Sequence, residues 1–370
     1  MSESDSCQLR ENFFSSLPGI IACGAIIGVL AALLQKLGNP GNMGICVACF
    51  ERDIAGALGL HQAKLVQYIR PEIIGLGLGA FIAALASGEW RARAGSAPLV
   101  RFVLGIIAAL GALVFLGCPW RALLRLAGGD LNALVGLAGL ATGVFAGTLF
   151  FRKGYSLGRA KVQNKALGLL FPLVLLGLLG MLLIFPQIEG QAQSGPIWYS
   201  LKGPGSQHAP LYTALGVGLL VGILAQRSRF CTMGALRDVF LFKQFHLFAG
   251  ISALCMGALA ANLFFGQFNP GMVGQPVAHS DSLWNFLGMA LAGLAFALAG
   301  GCPGRQLFAG GEGNADAASF ALGMLAGAAL AHNFAIASAP TGIAPNGPLA
   351  VGAGFALCLI IGLFYSRNKT

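Results

Sequence analysis

The chain has 370 residues, of which 56% are hydrophobic and only 10% charged, and its formal net charge is +10. A soluble domain carries about 25% charged residues, so this composition excludes an ordinary soluble fold and describes a protein whose main solvent is lipid. The apolar runs are unbroken rather than alternating, which points to helices and excludes a closed barrel.

In chain order, residues 1–16 form a polar tail. The apolar stretch that follows is long enough to span, so no cleavable signal peptide is expected. Spans are predicted at about 17–37, 70–88, 99–117, 131–151 and 165–185, and again at about 210–226, 247–266, 283–301, 315–335 and 348–366. Four segments, about 42–61, 118–127, 228–242 and 302–311, are too short or too polar to cross alone. They read as re-entrant elements held inside the bundle. The predicted fold is therefore an all-α polytopic membrane protein with about ten transmembrane helices and four short re-entrant helices.

Arg91, Arg93 and Arg101 lie between the second and third spans. Arg152, Lys153, Arg159, Lys161 and Lys165 lie between the fourth and fifth, and Arg367 and Lys369 end the chain. The loops at 267–282 and 336–347 contain no Lys or Arg. Basic loops stay in the cytoplasm, so ten spans put both termini inside a bacterial inner membrane and the 186–209 loop, with Trp198 and Tyr199, outside. The positive charge partly reflects this bias and implies no nucleic-acid partner.

The chain also repeats itself. Cys46-(five residues)-Arg52-Asp53 recurs 185 residues on as Cys231-(five residues)-Arg237-Asp238. Gly117-Cys118-Pro119-x-Arg121 recurs 184 residues on as Gly301-Cys302-Pro303-x-Arg305, and Ala127–Asn132 resembles Ala309–Asn314. The domains read as a tail (1–16), a first repeat (17–190), an outer connecting loop (191–209) and a second repeat (210–370). Five spans per copy is an odd number, so the second copy is predicted to enter from the opposite side. Such inverted repeats, related by a pseudo-two-fold axis, place substrate sites near the midplane.

The repeated cysteines carry the candidate chemistry. Proline suits the first position of a helix, which sets Cys118 and Cys302 at N-caps. There the free N–H groups and the helix dipole favour anions, and Arg121 and Arg305 add positive charge. Cys46, Cys118, Cys231 and Cys302 are thus expected to line a path for a small, soft anion, two per leaflet. Neutral thiols suit such a path as S–H donors, because four thiolates would repel the anion. Cys23, Cys255 and Cys358 recur nowhere and read as small buried hydrophobes; Cys7 is assigned no role.

Cys49 makes a single Cys-x-x-Cys with Cys46. It reads as an accessory thiol or a redox pair, and without a second such pair no zinc site is expected. Arg52-Asp53 and Arg237-Asp238 are adjacent on their helices and do not face each other, so they are expected to form ion pairs across the repeat interface or a network holding the re-entrant segments. Asp130 and Glu312 are expected to cap helices, with Asn132 and Asn314 in the same turns. The histidines read as structural. The rows Gly139-xxx-Gly143-xxx-Gly147 and Gly323-xxx-Gly327 are close-packing faces. No phosphate loop or dinucleotide fingerprint is present, and no cofactor is expected.

Asn42–His61, Arg229–Asp238 and Gly300–Arg305 together resemble the motifs of the YeeE/YedE membrane family, most closely its branch associated with selenium transport. The resemblance runs from about residue 17 to 366. It implies uptake of a sulfur-containing anion, thiosulfate in the characterised branch, through cysteines that hand the substrate along by weak S–H contacts. By motif, these would be Cys46, Cys118, Cys231 and Cys302. It also implies a cytosolic sulfur- or selenium-carrier protein as a partner. The alternative function is a transmembrane thiol–disulfide conduit for reducing equivalents.

Overall fold

The computed structural model describes residues 13–367; Cys7 and Lys369 lie outside the described residues. The long helices are α1 (Leu17–Lys36), α3 (Pro71–Ala86), α4 (Pro98–Phe115), α6 (Asn132–Arg152), α7 (Lys165–Ile184), α8 (Leu211–Arg227), α10 (His246–Phe264), α11 (Ser282–Ala299), α13 (Ala315–Asn333) and α14 (Gly347–Arg367). Four shorter ones, α2 (Val47–Ala57), α5 (Pro119–Ala127), α9 (Thr232–Phe242) and α12 (Pro303–Gly311), occupy the segments expected to be re-entrant. The protein is an all-α polytopic membrane protein, and the strands among the described residues are two-residue pieces in its loops.

Among the described residues, nine helical stretches are long and apolar enough to cross a membrane. The tenth expected span is α3, which has 16 residues and reaches about 24 Å, short of a hydrocarbon core of about 30 Å. Its residues from Pro71 to Ala80 are buried in protein, so most of this helix has no lipid thickness to match.

Local chemistry explains the helix ends. Ser16, Asn164, Asp281 and Asn314 each accept a backbone N–H in the first turn of α1, α7, α11 and α13, the usual remedy for unpaired donors at a helix start. Leu116, between α4 and α5, has φ 63°, and the matched Gly300, between α11 and α12, has φ 84°. The left-handed residue breaks each long helix and lets the short one begin with Cys-Pro. For Leu116 this conformation costs about 1–2 kcal/mol, and the Arg121 guanidinium holds the Leu116 carbonyl in place.

Four helix pairs form the frame: α1 with α10, α3 with α8, α4 with α13, and α6 with α11. Glycine sets their separation. A Cβ on Gly24 or Gly28 of α1 would strike the α10 backbone; Gly79 stands likewise against α8, Gly323 against α4, and Gly139 and Gly143 against α11. Helices without a hydrophobic drive to associate gain their packing energy through such close approach. The short helices sit inside this frame: α2 rests on α13, α5 on α6 and α10, α9 on α6 and α10, and α12 on α3 and α13. The peripheral helices differ, with α7 against α3 and α12 but α14 against α4 and α11.

Two loops brace the ends of the short helices. Backbone N–H groups of Asn269 and Gly271 donate to Gly128 and Gly129 in the turn after α5, and those of Arg91 and Arg93 donate to Glu312 and Gly313 in the turn after α12.

Candidate functional site

Each repeated cysteine stands at the N-cap of a short helix: Cys46 on α2, Cys118 on α5, Cys231 on α9 and Cys302 on α12. All four are buried. The backbone N–H of Cys49 donates to the Cys46 sulfur at 3.3 Å, and that of Gly234 donates to the Cys231 sulfur at 3.2 Å. A sulfur that accepts from its own helix keeps its S–H for another partner. That partner is a second repeated cysteine: Cys231 meets Cys302 at 3.8 Å between sulfurs, and Cys46 interacts with Cys118. The four thiols are therefore two pairs, each at the meeting point of two helix N-termini. Cys49 joins the first, with its sulfur 3.6 Å from an Arg121 nitrogen.

The arginines of the two clusters are engaged differently. Arg121 donates to the carbonyls of Asn42 at 3.2 Å, Leu116, Pro276 at 3.2 Å and Val277 at 3.1 Å. It therefore brings its charge to the first cluster while fastening α5 to two loops. Arg305 instead pairs with Glu312 at 2.9 Å. Glu312 also receives Arg229 at 2.9 Å and Arg93 at 3.1 Å. The capping role expected for Glu312 thus gives way to a three-arginine hub, because a buried carboxylate beside several guanidiniums gains more from charge-assisted bonds than from one backbone N–H; Asn314 caps α13 in its place. Asp130 does both jobs, accepting from the Asn132 backbone at 3.0 Å and from Arg125 at 2.6 Å.

The expectation that the Arg-Asp neighbours would not face each other is corrected by the geometry. Arg52 folds back on Asp53 at 2.7 Å, and Arg237 on Asp238 at 2.8 Å. The long arginine side chain bends across the single-residue offset that short side chains cannot bridge. Asp53 has a second partner, Arg70 at 2.7 Å, whose other nitrogens donate to the carbonyls of Pro204 and Gln207 in the 186–209 loop. This network ties α2, the start of α3 and that loop together.

Sequence reasoning passes over three side chains at this site. Arg70 is fully buried, and only its partner Asp53 hints at it. Glu51 is 4% exposed, with one carboxyl oxygen lacking a hydrogen-bond partner among the described residues, and borders an apolar crevice with Ile54, Phe171, Leu175 and Leu307. Its signal is an extra acid beside Arg52-Asp53 in a chain poor in charge. Trp120 follows Cys118 by two residues and is fully buried between the clusters, against Phe230 and Phe308; its signal is a mismatch with Gly304 at the matching position. Cys23 and Cys358 are buried in α1 and α14, and Cys255 is half-buried in α10.

Comparison with known proteins bears on the second cluster. The family model for sulphur transport matches residues 227–364, which include Cys231 and Cys302. Over this stretch the chain is similar to the sulphur transport family. A thiosulfate transporter, TsuA, from Spirochaeta thermophila is 37% identical to the chain over 103 residues, 28% of this chain and 31% of that protein. The match therefore spans about a third of the relative's length. Within the sulphur transport family match lie Arg229, Arg237, Asp238, Arg305 and Glu312, so the Glu312 hub is drawn partly from the matched region and partly, through Arg93, from outside it.

Proposed function

We propose that this protein is a membrane transporter that imports a small sulfur-containing anion, passing it from the Cys46–Cys118 cluster to the Cys231–Cys302 cluster. The observation that carries the reading is the pairing of buried thiols at converging helix N-termini. Such ends present N–H groups and positive partial charge to an anion, while a neutral S–H contacts sulfur or selenium softly enough for release. Conduction through successive sites requires this balance of attraction and escape. No bond in the substrate is made or broken, so the protein acts as a carrier rather than an enzyme. Arg121 and Arg305 compensate the anion's charge, and Cys49 serves as an accessory thiol.

In this reading the two halves, 17–190 and 210–370, form an inverted repeat. The reciprocal packing supports it: exchanging α1 for α8 and α10 for α3 turns one frame pair into another, and exchanging α4 for α11 and α13 for α6 does the same. The protein lies in the bacterial inner membrane with both termini cytoplasmic, and a cytosolic sulfur- or selenium-carrier protein receives the product. The relative is a thiosulfate transporter, which makes thiosulfate the first substrate to test, with a selenium species second.

One observation favours an alternative. The Cys231 and Cys302 sulfurs, 3.8 Å apart, are close enough to be oxidised to a disulfide after a small movement, as a conduit for reducing equivalents would need. Proteoliposome uptake under reducing conditions, with thiosulfate, selenite and selenide side by side, separates the readings. Accumulation of labelled substrate is expected. Redox equilibration across the membrane without accumulation would replace transport by the conduit.

A further inference from the structure

Trp120 is 2% exposed, and its indole Nε1 has no hydrogen-bond partner among the described residues. A buried tryptophan ordinarily finds an acceptor, and an unmet donor in a dry interior calls for an explanation. Its position supplies one. The ring stands two residues beyond Cys118 and packs edge-on against Phe230, the residue before Cys231, at 5.6 Å between centroids. Its other neighbour is Phe308 of α12, at 5.8 Å. The indole lies over Gly304, two residues beyond Cys302. A Cβ built there would meet Cε2, the carbon bonded to Nε1, and Cζ2 at 3.4 Å. The indole therefore separates the helix start that carries Cys118 from those that carry Cys231 and Cys302, with its N–H edge beside the last.

The matching position in the second copy is Gly304 itself, so the two copies together supply one bulky ring and one vacant place to receive it. The physical consequence follows from the ring's charge distribution. An aromatic face is negative and its edge positive, so a closed indole turns an anion away by volume and by field, except at the N–H.

We propose that the Trp120 indole is the gate between the two thiol clusters and that its N–H is the donor that receives the anion midway. This rests on the transport reading above. Rotation of the ring off Gly304 would open the step from Cys118 to Cys302, and an anion hydrogen-bonded to the N–H would be carried with it.

The test uses the full chain in proteoliposomes, with thiosulfate as the probe and a membrane-impermeant maleimide as a substrate-independent reporter. W120F keeps a plug but lacks the donor. It is expected to raise the KM for thiosulfate about tenfold, the loss of one hydrogen bond to a charged group, with the maximal rate nearly unchanged. W120A removes the plug. It is expected to let maleimide applied at one face modify thiols of both clusters, where the wild type is modified at the near cluster only. G304V, which crowds the ring from the opposite wall while leaving Trp120 in place, is expected to slow uptake and keeps the gate testable should W120A fail to fold. Wild-type KM in W120F, together with one-face labelling in W120A and unchanged uptake in G304V, would overturn the gate. Absence of thiosulfate uptake by the wild type would instead count against the transport reading, and the maleimide result would still decide the gate.

Discussion

Every residue of α2 from Val47 to Ala57 is buried, whereas the matched helix α9 is buried only from Thr232 to Ala235. The two begin alike, with a cysteine cap accepting the N–H three residues on, and both carry Arg-Asp six and seven residues beyond the cysteine. Their charges then meet different solvents. Asp53 is fully buried and shared by Arg52 and Arg70, while the Asp238 and Arg237 side chains are 18% and 36% exposed and, among the described residues, pair with each other. At the first cluster Arg121 is fully buried and fastened to carbonyls; at the second, Arg305 joins an acidic hub that includes the half-exposed Arg229. Where water is excluded, charge must be neutralised by protein on every side. Where water reaches, one partner suffices. A repeated motif thus keeps its capping chemistry while its electrostatic support follows local burial.

The sharpest way to break this comparison is to delete one carboxylate from each helix. Asp53→Ala leaves Arg52 and Arg70 buried without their shared ion-pair partner and is expected to cost about 3–5 kcal/mol. Asp238→Ala removes a part-exposed pair and should cost less than about 1 kcal/mol. Thermal unfolding in detergent measures both, and equal losses would mean that burial does not distinguish the helices.

For function the clusters are expected to be equivalent. Alanine at Cys46, Cys118, Cys231 or Cys302 should each lower thiosulfate uptake by about tenfold or more, the scale of one lost interaction on the path, while alanine at Cys23 or Cys358 leaves it near wild type. Retained uptake in all four repeat-site variants would end the relay reading.

Accessibility should separate the clusters again, by a smaller margin. Cys231 is 7% exposed and Cys46 is fully buried, so an impermeant thiol reagent should modify Cys231 faster, and from the opposite face. Modification of both from one face would contradict the inverted repeat.

The smallest expected effect concerns pH. Glu89, in the loop after α3, receives Gln226 at 2.8 Å and Arg229 at 2.9 Å. Burial alone would push its carboxyl up, but the Gln226 hydrogen bond and the charges of Arg229 and Arg227 hold it below the usual carboxylate range. A depressed folded-state value means that the latch contributes fully above the ordinary carboxylate pKa and is lost as pH falls through the lowered one. Thermal stability in detergent should therefore fall modestly on acidification through that range, and at neutral pH Glu89→Gln should show a faster rate of Cys231 labelling than the wild type. The same rate in Glu89→Gln as in wild type would remove the latch from the account.

Much of the architecture was legible before any coordinates. Apolar runs marked all ten long helices to within a few residues, since helix existence in lipid depends on neighbouring residues of one chain. Repeated Cys-Pro marked the caps of α5 and α12, because a proline at the first helical position acts locally. The partners of long charged side chains were not legible. Helix geometry alone does not bring Arg52 onto Asp53, and the convergence of Arg93, Arg229 and Arg305 on Glu312 joins residues from distant segments.

The sequence by itself determined that this is a helical membrane protein with short helices capped by paired motifs, because hydropathy and capping are properties of adjacent residues. Only the tertiary structure decided that the four cysteines form two pairs, that Asp53 is held by Arg70, and that Trp120 lies over Gly304. Those outcomes depend on which side chains packing brings within a few ångströms of one another, and close-packed helices specify that through contacts between residues far apart in the chain.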